Sequence, residues 1–99
     1  MSAKLISTEP ATGAHLWEGS VSDVEAEVAR ARSAWPRLAA QPIANRIETM
    51  RRFANAVRSA DEKLADLIAR ETGKPLWDAR SEVAAVIGKV DISIAAYSE

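Results

Sequence analysis

The chain has 99 residues, 13 basic and 14 acidic side chains, a formal net charge of -1 and no cysteine. One domain or part of one is all this length permits, and such a chain buries roughly 60–68% of its unfolded surface. The balanced charge gives no electrostatic footing for nucleic acid or an anionic membrane, and the missing cysteine excludes disulfides, thiolate metal sites and a cysteine nucleophile within these residues.

Residues 4–20 predict a β-hairpin. Leu5-Ile6-Ser7-Thr8 and His15-Leu16-Trp17-Glu18 are short β-prone runs. Glu9-Pro10-Ala11-Thr12-Gly13 between them has turn chemistry, with Pro presetting φ early and Gly supplying positive φ late. A lone two-stranded hairpin is marginal in water, so it must pack on something or extend a larger sheet. His15 is the only histidine, without ligand-type neighbours at metal spacing, and reads as a strand-surface residue.

Residues 22–98 predict four helices. The first runs from Ser22 to Trp35, opened by a Ser22/Glu25 capping box and stopped by Pro36, with Val24, Val28, Ala31 and Trp35 as its apolar stripe. The second starts at Pro42 and runs to about Ser59. Its inner face is Ile43, Ile47, Met50, Ala54 and Val57, with Phe53 alongside, and Arg46, Arg51, Arg52 and Arg58 lie on a solvated side. The third follows a Ser59/Glu62 capping box and ends at Thr72, with Leu64, Leu67, Ile68 and the stem of Glu71 facing inward. Trp17, Trp35 and Trp77 read as core or interface anchors.

Glu71-Thr72-Gly73-Lys74-Pro75 is a stop and a restart. Gly73 can adopt the left-handed conformation that closes a helix, and Pro75 can open the next. Lys74 is expected to complement the carbonyl end of the third helix. The fourth helix, Leu76 to about Ser98, carries a stripe of Leu76, Ala79, Val83, Val86, Val90, Ile94 and Tyr97. Further apolar residues cover much of the remainder, a pattern that belongs to a helix buried on most sides. With so little chain to wrap it, its natural surroundings are expected to lie outside these residues. Glu82, Lys89 and Asp91 interrupt the only candidate membrane span. The start Met1-Ser2-Ala3-Lys4 lacks a signal-peptide core, so the expected location is cytoplasmic.

No glycine-rich phosphate loop is present, and no nucleophile–base pair can be read from the spacing. The expected sets of catalytic, cofactor-binding and metal-binding residues are therefore all empty.

Glu71-Thr72-Gly73-Lys74-Pro75, Glu82-Val83 and Ile92-Ser93-Ile94 closing on Ala96-Tyr97 resemble the N-terminal region of the aldehyde dehydrogenase superfamily, and within it the succinylglutamate-semialdehyde branch. The likeness runs from about residue 4 to residue 99; the family usually has Asn where Glu9 stands. It implies a mainly α piece of an α/β enzyme, a single partial domain of hairpin (4–20) and helical segment (22–98). It also implies a parent reaction in which an aldehyde, here succinylglutamate semialdehyde of arginine breakdown, is oxidised to the carboxylate by NAD or NADP. In that chemistry a cysteine thiolate attacks the carbonyl, amide donors hold the oxyanion, and a glutamate activates water. Those parts lie beyond residue 99. Glu25, Glu48, Glu62, Glu71 and Glu82 do not lie in the matching motif. The likeness further implies that Val86, Lys89 and Val90 stand near the substrate entrance of the parent, with ordinary interhelical packing as the alternative. The implied partner is the remainder of the enzyme. A different class of reading is a small helical protein that uses helix 76–98 to associate with itself or a partner, since an exposed apolar patch above a few hundred Å² marks an interface.

Overall fold

The computed structural model describes residues 3–99. Strands β1 (Lys4–Thr8) and β2 (His15–Ser20) form an antiparallel hairpin, followed by helices α1 (Val24–Ala40), α2 (Ile43–Ser59), α3 (Asp61–Thr72) and α4 (Leu76–Ser98). A two-stranded hairpin ahead of four helices is the architecture the sequence implies. In the hairpin, Lys4 faces Ser20 and Ser7 faces Trp17, but Thr8 faces His15, so Leu16 is the extra residue of a bulge. The turn closes through Gly13, at φ 77°, whose N–H donates to the Glu9 carbonyl at 2.7 Å.

Three helix boundaries differ from the sequence reading, each for a local reason. The cap of α1 is Asp23, not Ser22: the Asp23 carboxylate accepts from the Ala26 N–H at 3.2 Å. Aspartate caps as well as serine and adds charge at the positive helix end. Pro36 does not end α1, which continues to Ala40. The stop comes from Pro42, which holds the preceding Gln41 extended at ψ 145°. The expected Ser59/Glu62 box does not form. Ser59 ends α2 and donates its hydroxyl to the Asn55 carbonyl, Ala60 is the whole junction, and Asp61 starts α3. Glu62 instead takes a two-pronged bond from Arg80 on α4, at 3.0 and 3.2 Å.

Gly73 closes α3 in the left-handed region, at φ 80°, with its N–H on the Ala69 carbonyl. Pro75 sits one residue outside α4 as its cap, extended at ψ 148°. The chain thus reverses over three residues, and α4 runs back along α3.

The core lies where α4 meets α3. Ala65, Ala79 and Val83 are buried, and Val57, Leu64, Ile68, Ala69 and Ile87 pack around them. Two alanines at the closest approach leave the helix backbones free to come together. On α2 only Ala54 is buried, and Val90 is the third buried residue of α4.

Much of the expected apolar stripe is not covered. On α4, Leu76, Val86 and Tyr97 are exposed. Helix α1 buries nothing. Trp35 and Trp77, expected as anchors, are 56% and 72% exposed. The radius of gyration is 17.3 Å, against about 13 Å for a compact domain of this length. The accessible surface is 7708 Å², against about 5,500 Å² for a compact monomer of this mass.

Val90→Asp puts an unpaired carboxylate at a 5% exposed position. The expected loss is about 3 kcal/mol or more, enough to remove most of the cooperative melting signal of a chain with so small a core. Thermal melting followed by circular dichroism checks this, and an unchanged transition would mean that Val90 is not part of the interior.

Candidate functional site

Two places bring functional side chains together. The first joins the hairpin to the α3–α4 reversal. The Trp17 indole N–H donates to the Glu71 carboxylate at 2.9 Å, and the Arg70 Nε donates to the Glu9 carboxylate at 2.9 Å. Glu9 also accepts from the Thr12 hydroxyl at 3.0 Å. Glu9 is therefore a link between hairpin turn and helix. Hydrogen bonds from Arg70 and then Thr12 hold its carboxyl below the usual carboxylate range, and Glu9 raises the Arg70 guanidinium in turn.

The same reversal corrects one expectation. Lys74 does not cover the end of α3; its ammonium bonds the Glu82 carboxylate, nearly two turns into α4. That bond, with the nearby charges of Glu82 and Asp78, raises the Lys74 pKa. Its contribution is present below the ordinary lysine pKa and is lost as pH rises through the raised value. Glu71 and Lys74 thus have separate structural partners, and neither forms a nucleophile–base pair with the other.

The second place is a groove of about 600 Å³ between α2 and α4. Its floor is apolar: Ile43, Ile47, Met50 and Phe53 from α2, and Val86, Val90, Ile94 and Tyr97 from α4, with Leu38 closing one end. Val86, Lys89 and Val90 all line it, with Val86 and Lys89 exposed and Val90 buried. Their spacing of three and four on a helix accounts for the shared face. The polar groups there are Arg46, Thr49, Lys89, Ser93 and the Tyr97 hydroxyl. Arg46, expected on a solvated face, is half-buried at the groove wall. Its position at i+3 from Ile43 on the inner face was the signal that could have found it. The other arginines of α2 lie elsewhere: Arg51 is 4.0 Å from Asp91, Arg52 bonds Thr49, and Arg58 bonds Asn55.

Among the described residues no three His, Asp or Glu side chains gather at metal-binding spacing, and no helix is long and apolar enough to cross a membrane. His15 lies on the strand surface, 3.8 Å from Glu18.

Residues 2–99 match the sequence model of the Aldehyde dehydrogenase family. The chain belongs to that family. Among its relatives is the N-succinylglutamate 5-semialdehyde dehydrogenase of Sphingopyxis alaskensis, 63% identical over 99 residues, which covers 100% of this chain and 21% of that protein. The same-named enzyme of Novosphingobium aromaticivorans is 62% identical over 97 residues, 98% of this chain and 21% of that protein. That of Paraburkholderia xenovorans is 48% identical over 96 residues, with 94% and 20% covered. The chain spans about a fifth of the length of these relatives.

A dinucleotide cofactor, implied by the family, does not fit the residues present. Gly13 and Gly73 are spent on turns, Gly19 lies within β2 under the Trp17 ring, and Gly88 is inside α4. None forms a loop at a helix N-terminus that could cradle a pyrophosphate.

The hairpin link is testable by pH. A carboxylate whose folded pKa is lowered adds stability above its unfolded value, and this is lost as pH falls through the folded value. Acid titration of the Arg70 Nε–H and Trp17 indole N–H resonances should show the Arg70 signal move below the ordinary carboxylate range. In Glu9→Gln that step should vanish while the Trp17 signal keeps its bonded position. An Arg70 signal unaffected by either change would remove Glu9 from the link.

Proposed function

We propose that this chain is the N-terminal region of an NAD(P)-dependent aldehyde dehydrogenase acting on N-succinylglutamate semialdehyde, and that it forms a single partial domain, inactive alone. The observation that carries the reading is the uncovered apolar surface. The exposed area exceeds that of a compact monomer of this mass by roughly 2,200 Å². A standard protein–protein interface takes only about 800 Å² from each partner, so the excess is on the scale of an obligate contact. Identity above 60% to two enzymes five times as long supports the same conclusion.

In this reading the chain's own share of the work is binding and shape. Helix α4 carries Val86, Lys89 and Val90 to the substrate entrance, and the cofactor and the reacting groups belong to the rest of the enzyme. A dinucleotide held by the rest of the enzyme would supply the hydride acceptor, and nothing in residues 3–99 would hold it.

A second reading is self-association through α4. It is favoured by Trp77, Ile92 and Tyr97, which are 72%, 61% and 67% exposed.

The test is reconstitution. The purified 99-residue chain should form no NADH or NADPH from N-succinylglutamate semialdehyde. Mixing it with a separately produced polypeptide carrying the remaining four-fifths of the Sphingopyxis relative should restore aldehyde-dependent reduction. Activity of the chain alone would overturn the proposal. So would failure of the mixture to associate.

A further inference from the structure

The groove between α2 and α4 has an uneven charge. Among the described residues, Arg46 and Lys89 are the only ionisable side chains on its walls apart from Tyr97, and no Asp or Glu lines it. The chain as a whole is slightly acidic, at -1, so two cations without an acid are a local departure. Neither Arg46 nor Lys89 forms an ion pair among the described residues. The acid closest in sequence to Lys89, Asp91, is instead paired with Arg51, outside the groove. The two cations come from different helices, with a floor of aliphatic and aromatic carbon around them.

We propose that this groove is a carboxylate-recognition site, in which Arg46 and Lys89 hold the carboxylates of a short aliphatic polycarboxylate whose methylene chain lies on the apolar floor. The site deepens the proposed function: an N-succinylated glutamate semialdehyde carries two carboxylates with a CH2–CH2 segment and an amide between them, and Arg46 and Lys89 are then specificity-determining residues at the substrate entrance. The physical grounds are general. A volume of about 600 Å³ falls within the usual range for small-molecule sites, which are mostly apolar with a few placed polar groups. Arginine grips a carboxylate with two parallel N–H donors, and lysine adds a second point charge. Both side chains can lay their alkyl stems along the apolar walls while their charged ends face the ligand. Ser93 supplies a hydroxyl donor beside them.

The probe is N-succinyl-L-glutamate, the unreactive carboxylate counterpart of the aldehyde, titrated into the 99-residue chain and followed by the Val86, Val90 and Ile94 methyl resonances. Saturable shifts confined to these groove signals are expected. Arg46→Gln and Lys89→Gln should each weaken binding about tenfold, the effect of losing one charge-assisted contact. Amide shifts of α3, away from the groove, should stay unchanged in both variants, which separates lost recognition from lost folding. The uncharged amide analogue of the probe should give no saturable shift. Equal binding of that analogue, or absence of any saturable shift, would overturn the proposal. The titration involves no turnover, so its failure leaves the reconstitution result standing, and failed reconstitution does not alter the titration.

Discussion

The helical core of this chain depends on the contact of α4 with α3. Ala65 and Ala79, 1% and 0% exposed, set the two helices close together, and Val83 completes the buried cluster. Gly73 and Pro75 make the contact possible by ending one helix and presenting the next over three residues. The Glu62–Arg80 fork ties the start of α3 to α4, and the Lys74–Glu82 bond ties the reversal to α4. Helix α2 then packs on the outer part of α4, and the hairpin is tied to α3 by polar bonds rather than by a shared apolar core.

The interior built this way is small. It contains three buried core residues between α3 and α4, with Ala54 and Val90 as the other buried positions. Meanwhile α1 is exposed along its whole length, and the molecule measures 48 × 39 × 20 Å, a thin slab. A slab is the shape left when one layer of a larger packing is seen by itself. The proposal that this chain is part of a longer enzyme accounts for that shape.

The element order was legible in the sequence because helix and turn signals here are local and mutually consistent. The 3.6-residue periodicity of α2 and α4 and the Gly73–Pro75 reversal are read from neighbours alone. The boundaries at Ser22, Pro36 and Ser59 were less legible, because in each case a competing residue one or more positions along had the stronger physical claim. Asp23 out-caps Ser22, Pro42 rather than Pro36 ends α1, and Ala60 leaves no room for a capping box. The burial of α4 was only half legible. Periodicity identifies an apolar stripe, but not whether Leu76, Val86 and Tyr97 meet a partner within these 99 residues. In the same way, the grouping of Val86, Lys89 and Val90 follows from helical spacing. Their companion Arg46 comes from another helix, and its approach depends on tertiary packing. The Glu9–Arg70 link spans 61 positions and has no sequence signal at all.

The central claim is that the exposed faces of α1 and α4 are surfaces awaiting their partner, and that they do not belong to a self-sufficient domain. Light-scattering mass of the purified chain across a concentration series addresses this most directly. The account predicts a mass that grows with concentration above the 10.7 kDa of one chain, as uncovered apolar faces find one another. A compact monomer at every concentration would contradict it, because the four helices would then be covering their own surfaces in solution.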